Sequence, residues 1–393
     1  MAKGIWRLAA LGVLRTFAMS LVTPYVGLIL YSRGMPIGEV GAYYLALGAA
    51  SAAGQLLGGA ASDLMGRGRA MAMGLASSGA ALVTMGLALK LPGYWPFALT
   101  SAAENLAAGS SFSSLNVAVG DEGRDLGESI RSYGALRIGV NLGWALGPVV
   151  GGALAAATGF PLAFTISGIL VASSSPLALA ADRWGTRGRP GIPDRRYLAM
   201  VSPFTLFYAF IAQFGLTLTV FENAVRGLGL AEVGSLYTVN GLAVVALQYP
   251  IALLESRGGT LRWLYAGTAF YAAGFYMLSL GSSLPWAMAS VAVLTVGEDM
   301  TSPVVYAIAN ALADPSKRGS YLGAFGVLTG FSRSLGALYG GMLMSMFLRE
   351  PSVLWGLVDV LGAASAASAA LILAPALRGR DTDNRAPGAR AAA

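Results

Sequence analysis

The sequence predicts an all-α integral membrane protein: twelve transmembrane helices in two pseudo-symmetric six-helix bundles. Three observations carry this expectation. Only 11% of the 393 residues are charged while 55% are hydrophobic, with a mean hydropathy of +0.64; a soluble protein carries about 25% charged residues. The apolar residues gather into twelve runs of about twenty or more, the length that crosses a ~30 Å hydrocarbon core. Finally, the second half of the chain repeats the polar landmarks of the first.

Taken in order, the runs cover residues 6–31, 37–61, 70–90, 94–120, 132–157 and 161–181, then 198–224, 230–254, 262–281, 285–312, 320–348 and 353–376. The first starts almost at once and has no cleavage site, so it reads as a helix that is retained rather than a signal peptide. Residues 182–197 form the longest polar connection and separate the runs six and six. This sets an N-terminal bundle at 1–181, a cytoplasmic linker at 182–197 and a C-terminal bundle at 198–376. Residues 377–393, rich in Arg, Asp and Ala, are expected to be a disordered cytoplasmic tail.

Basic residues fix the orientation. With the N-terminus inside, the outside segments hold only Arg33, Lys90, Arg226 and Arg349, and Arg15, Arg137 and Arg333 lie within runs. All the other basic residues fall on the inside, so both termini are expected in the cytoplasm of a plasma-membrane protein. The same placement explains the pI of about 9.7 without a nucleic-acid partner.

The halves align at an offset of 193 or 194. Arg33-Gly-Met-Pro-Ile-Gly-Glu-Val-Gly41 matches Arg226-Gly-Leu-Gly-Leu-Ala-Glu-Val-Gly234. Tyr44 meets Tyr237, Gln55 meets Gln248, and Gly143 and Gly147 meet Gly336 and Gly340. Glu104, Asn116 and Arg124 meet Glu298, Asn310 and Arg318. Chance similarity between apolar segments does not reproduce charged residues at one offset, so two homologous bundles facing each other are expected.

Composition also excludes. The chain has neither cysteine nor histidine, so no disulfide, thiolate-held cofactor or histidine-based catalytic triad can be built. No cofactor or metal site is expected, and a proton carrier near neutral pH has to be a carboxylate in an unusual environment.

Two motifs sharpen the reading. In the fifth run, Gly134, Gly143, Gly147, Pro148, Gly151 and Gly152 follow the pattern G-x8-G-x3-G-P-x2-G-G. Glycines four apart line one face of a helix and let another backbone approach closely, while an internal proline bends it. Between the second and third runs, Gly59, Asp63, Gly66, Arg67 and Arg69 occupy a short turn. Together these resemble the helix 5 antiporter motif and the G-x3-D-(R/K)-x-G-R-(R/K) loop of the major facilitator superfamily, specifically its twelve-helix drug:proton antiporter branch. Leu64 departs from the loop pattern, and Arg69 arrives one position late. The resemblance implies the major facilitator fold, a working monomer, and an Asp63 that lies near the start of the eleventh helix, around Ser320.

Charges within the runs are costly in a bilayer and mark pathways or partners. Glu104 lies about 16 Å into the fourth run at 1.5 Å per residue. Glu298 and the adjacent Asp299 lie in the tenth run and Asp359 in the twelfth. Against them stand Arg15, Arg137 and Arg333, and an acid on run 4 or 10 could pair with an arginine on run 5 or 11. These pairs are either static locks between helices or a proton site; Glu104, Glu298, Asp299, Arg15, Arg137 and Arg333 are the coupling candidates, with Glu298 favoured. Asn105, before Gly109, stands where many proton-coupled members of the family carry an arginine. Side chains expected at cavity depth include Tyr25, Asn116, Trp144, Tyr208, Gln213, Tyr237, Asn310 and Phe331; aromatics there suit a flat, lipophilic substrate.

The resemblance therefore implies a secondary transporter, not an enzyme, that exports a small amphipathic or drug-like compound by alternating access in exchange for protons. Two other readings remain: a uniporter or symporter of a small organic anion bound by the buried arginines, and a sensor on the same fold that binds without transporting.

Overall fold

A computed structural model describes residues 3–35, 37–123, 125–179, 190–228 and 230–383; Arg124 and the first half of the expected linker, 182–189, lie outside the described residues. The first expected span consists of α1 (Lys3–Ser20) and α2 (Val26–Ser32), joined by a 3-10 turn at Thr23–Tyr25. Pro24 sits in that turn and has no N–H to continue the helical ladder. The next four spans are α3 (Ile37–Met65), α4 (Arg67–Ala88), α5 (Trp95–Glu122) and α6 (Leu126–Thr158). The sixth is α7 (Phe160–Ser173) with α8 (Ser175–Leu179).

In the second half, α9 (Arg195–Val201), α10 (Pro203–Ile211) and α11 (Leu216–Ala224) make up the seventh span. They are followed by α12 (Leu230–Glu255), α13 (Thr260–Leu280), α14 (Leu284–Leu312), α15 (Arg318–Phe347) and α16 (Pro351–Asp383). Two boundaries differ from expectation. Helix α9 starts at Arg195, inside the expected linker, because Asp194 Oδ1 accepts the Tyr197 N–H at 2.7 Å and caps the first turn. Helix α16 continues to Asp383 past the expected end at 376, and residues 384–393 lie outside the described residues.

Eight helical segments among the described residues are apolar and long enough to cross a membrane by hydropathy alone. Helices α3, α5, α13 and α15 are as long, but carry glycine, serine and alanine where neighbouring backbones meet them. A Cβ on Gly54 or Gly58 of α3 would lie 1.9 Å or 2.2 Å from a backbone oxygen of α5. Close approach of small residues is how helices associate in lipid, where no hydrophobic force drives them together.

The chain divides into two compact units. The first contains Met1–Ile192, Tyr237–Gly258 and Ser302–Phe331; the second contains Pro193–Leu236, Gly259–Thr301 and Ser332–Ala393. The first unit therefore includes parts of α12, α14 and α15 with the whole described N-terminal half. The reason lies in small-residue contacts: Gly59 meets Gly319, Gly134 meets Ala252, and Gly120 meets Asn310. In the second unit, α10, α11, α13 and α16 surround an aromatic core in which Trp355 stacks on Phe275 at 5.5 Å and meets the edge of Phe221 at 5.4 Å.

The internal repeat reappears as matching geometry. Ser20 Oγ donates to the Gly143 carbonyl at 3.1 Å where α1 ends; Gln213 Nε2 donates to the Gly336 carbonyl at 2.8 Å in the turn after α10. Donors and acceptors are both 193 residues apart. Each side chain fixes the broken first helix of its half to the glycine-bearing fifth.

Candidate functional site

In the first unit, α1, α3, α4, α5 and α6 enclose a cavity of about 580 Å³. Among the described residues its wall carries one cation, Arg15, and one carboxylate, Glu104, only 8% and 2% exposed. Arg15 reaches from α1 to α5, where Nε donates to Ser111 Oγ at 3.1 Å and Nη2 to the Ala108 carbonyl at 3.0 Å. The guanidinium also lies 5.4 Å from the centre of the Phe112 ring, within cation–π range. Glu104 stands one turn earlier on α5. Its Oε1 accepts the Ser78 hydroxyl at 3.0 Å and its Oε2 accepts Asn105 Nδ2 at 3.4 Å. The remaining wall is mostly apolar, with Tyr44, Phe112 and Trp144 as its aromatic part.

Helix α1 holds Arg15 in place because α6 is shaved flat against it. A Cβ on Gly147 would lie 1.8 Å from Ser20 Oγ, and one on Gly151 would lie 1.8 Å from the Leu21 carbonyl oxygen. Gly143 faces Thr16 and Phe17, and Gly152 faces the Tyr25 hydroxyl, which donates to the Pro148 carbonyl at 2.8 Å. Gly139, absent from the sequence motif, extends the same stripe: a Cβ there would lie 2.5 Å from the Ala9 carbonyl oxygen. Gly134 belongs to a different contact, against Ala252 of α12.

The turn after α3 makes a second polar cluster. Asp63 is fully buried and accepts the N–H groups of Gly319 and Ser320 at 2.9 and 2.8 Å, and the Ser320 hydroxyl at 2.9 Å. A carboxylate at the start of α15 satisfies N–H groups that have no partner within the helix and meets its positive end. Arg67 bonds Asp63 at 3.0 Å and Asp121 at 2.9 Å, and Arg318 closes on the other oxygen of Asp121. Gly59 lets α15 approach, Gly66 takes a φ of 98° in the turn, and Arg69 is exposed. The Gly191 N–H adds a bond to Ser320 Oγ at 3.2 Å. Beside this cluster, outside the expected span, burial and neighbouring Asp121 raise the Glu122 pKa.

Other candidates separate. Arg137 does not join Glu104; its Nε donates to Gln248 Oε1 of α12 at 2.5 Å. A pairing between α5 and α6 is thus replaced by Arg15 of α1 approaching α5. Asn116 bonds the Phe112 carbonyl at 2.9 Å and Asn310 the Gly120 carbonyl at 3.2 Å, so both serve helix contacts rather than the cavity wall. Tyr237 is 40% exposed and does not line this cavity. In the second unit, Gln213 is consumed by the Ala209 and Gly336 carbonyls and Thr217. Arg333 lies 5.0 Å from the Tyr208 ring centre, Phe331 is 64% exposed and assigned to the first unit, and Glu298 is half-buried on α14 beside fully buried Asp299.

Sequence reasoning missed Ser78, Ser111 and Asp121, and also Glu222, a carboxylate 2% exposed near the end of α11. Asp121 had a visible signal: Asp314 stands at the same repeat offset.

The chain matches the profile of the Major Facilitator Superfamily over residues 8–337 and 199–392. It is 24% identical over 314 residues to the uncharacterized MFS-type transporter YttB of Bacillus subtilis, covering 76% of this chain and 77% of that one. It is 28% identical over 172 residues to the multidrug resistance protein MdtH of Cronobacter sakazakii, where the match spans 43% of this chain and 42% of the relative, less than half of either. The crystal structure of the human organic anion transporter MFSD10 superposes with a TM-score of 0.76 at 16% identity, covering 93% of this chain and 98% of that one. With the profile spanning nearly the whole chain and the fold shared at that coverage, the protein belongs to the Major Facilitator Superfamily and is a membrane transporter, not an enzyme.

Proposed function

We propose that the protein exports small amphipathic compounds across the plasma membrane in exchange for protons, with both termini in the cytoplasm and a single chain as the working unit. The observation that carries this reading is the placement of Glu104, a nearly buried carboxylate, in the wall of an aromatic cavity that also holds Arg15. A buried carboxylate can exchange its proton only through the cavity, so proton and substrate compete for the same enclosed space. Alternating access exposes this cavity to each side of the membrane in turn. Proton entry supplies about 2.3 kcal/mol per charge per 100 mV. The Asp63, Arg67 and Asp121 cluster latches one end of the transporter during the cycle. Glu298, Asp299, Arg137 and Arg333 have secondary roles in coupling. The named activity of MdtH, matched over less than half its length, agrees with this reading.

The test uses proteoliposomes with an imposed pH gradient and an internal pH dye. Lipophilic test compounds are added to wild type and to Glu104→Gln. Substrate-triggered proton flux that disappears in the variant is expected; substrate movement without proton flux in wild type would replace antiport with facilitated transport.

A further inference from the structure

Gly191, in the linker between the two halves, is tied to the polar cluster after α3. Its N–H donates to Ser320 Oγ at 3.2 Å, and the same hydroxyl donates to Asp63 Oδ2 at 2.9 Å. Amide, hydroxyl and carboxylate thus form a chain of two hydrogen bonds that ends on a charge. Bonds in such a chain polarise and strengthen one another, so the hydroxyl is a better acceptor for the linker while Asp63 holds it. The fit is close. A Cβ on Gly191 would lie 2.5 Å from Lys317 Cδ, so the bare glycine rests on the methylene stem of that lysine. Lys317 ends a 3-10 turn, Pro315–Lys317, which Asp314 Oδ1 caps by accepting the Ser316 N–H at 2.8 Å. Pro190 and Pro193 flank the contact and stiffen the chain on either side of it. Only Ile192 and Pro193 separate Gly191 from Asp194, the cap of α9, so the segment is short and held at both ends. The arrangement is not inherited from the internal repeat: at offsets of 193 and 194 Ser320 corresponds to Gly127 and Leu126, which have no hydroxyl.

We propose that residues 190–193 are a strap over the Asp63 cluster, docked while Ser320 is bonded to Asp63 and released when that bond breaks. The inference takes from the proposed function only that the cluster opens during the transport cycle. When it opens, the Ser320 hydroxyl loses the carboxylate that orients it, and the Gly191 N–H turns to water. The effect runs in both directions, because two contacts that share one hydroxyl share one coupling free energy. Breaking the bond between Asp63 and Ser320 frees the linker; removing the N–H of the linker loosens Ser320 on Asp63. The linker therefore restrains the opening of the cluster and is more than a passive connection. The two glycine variants separate the hydrogen bond from the packing. Gly191→Pro has no N–H to donate. Gly191→Ala keeps the N–H, its backbone is not in the left-handed region, and its Cβ meets only a lysine stem that can swing aside.

The experiment follows amide hydrogen exchange by mass spectrometry on the purified full-length protein at pH 7, which reads local opening apart from transport. Pro190 and Pro193 carry no amide hydrogen, so residues 190–193 report on Gly191 and Ile192 alone. In wild type, Gly191 is expected to exchange at least about 10-fold more slowly than in an unstructured peptide. Ser320→Ala and Asp63→Asn should bring it to the unstructured rate, while Ser320→Thr, which keeps the hydroxyl and guards against a folding defect, should keep the protection. In the reverse direction, Gly191→Pro should speed exchange at Gly319 and Ser320 at least about 3-fold, and Gly191→Ala should leave it unchanged. Unprotected Gly191 in wild type, or protection that survives both Ser320→Ala and Asp63→Asn, overturns the strap. Unchanged exchange at Gly319 and Ser320 in Gly191→Pro overturns the coupling. Transport by Asp63→Asn is measured alongside in proteoliposomes: an unchanged rate, with both exchange results as expected, supports the strap and removes the cluster from the transport cycle.

Discussion

The contact between α6 and α1 gives a prediction whose sign can be worked out. A Cβ at Gly151 would lie 1.8, 2.4 and 2.5 Å from the carbonyl oxygen, carbonyl carbon and Cα of Leu21. Ordinary contact begins at 3.4 Å, so Gly151→Ala forces the two backbones apart by about 1.6 Å. The atoms in the way are backbone and cannot rotate aside, and overpacking of this kind costs about 1–3 kcal/mol. Against it stands the gain of replacing a helical glycine by alanine, about 1 kcal/mol or less. Gly356 of α16 supplies the control, because its Cβ would meet nothing within 4 Å; there only the gain applies. Thermal unfolding of the detergent-purified protein should place Gly151→Ala below wild type and Gly356→Ala at or above it. The displacement also moves Arg15 relative to Ala108 and Ser111, so Gly151→Ala should weaken substrate binding where Gly356→Ala does not. A Gly151→Ala protein as stable as Gly356→Ala, with unchanged binding, would refute the close-approach argument.

Further predictions concern the polar cluster after α3. Asp63 joins α3 to the start of α15, so Asp63→Asn and Ser320→Ala should be non-additive, with a coupling of about 0.5–3 kcal/mol in a double-mutant cycle of unfolding; additive effects would mean that the carboxylate does not act through that serine. Glu122 titrates above the ordinary glutamate value of 4.5 because of burial and neighbouring Asp121. An acid with a raised folded pKa stabilises the fold while protonated and loses that contribution as pH climbs from its unfolded pKa through its folded one. Melting temperature should therefore fall from about pH 4.5 upward, and Glu122→Gln should flatten the fall; a wild-type profile that rises over that range with no change in the variant would contradict the assignment.

Much of the fold is legible because it follows from short-range pattern. Twelve apolar runs, an offset of 193 and glycines four apart are all visible without distances. The glycine face announces that a backbone comes close, but its spacing does not say that α1 is the partner, nor that Gly139 extends the stripe. The interruption at Pro24 is readable; its counterpart at Gln213 and Gly215 is clear only once the repeat is laid over it. The partners of the charged residues are not legible locally. Arg15 and Glu104 are 89 residues apart, and nothing local reveals that α1 leans Arg15 onto Ala108 and Ser111. Adjacent spans 4 and 5 suggested Arg137 as the partner, yet its position on α6 turns it toward Gln248 of α12. Asn116, Gln213 and Asn310 look like ligand contacts in sequence because a polar group in an apolar run needs a partner; each finds a helix backbone carbonyl.

The account stands on Glu104 as the group that exchanges its proton for substrate in the Arg15 cavity. The most direct measurement compares two modes of transport by Glu104→Gln in proteoliposomes: substrate-for-substrate exchange at equal pH, and uphill movement driven by a pH gradient. A glutamine keeps the shape and the Ser78 contact but cannot carry a proton, so substrate-for-substrate exchange should continue while gradient-driven accumulation is abolished. Undiminished pH-driven accumulation by Glu104→Gln would contradict the account and move the proton to another carboxylate.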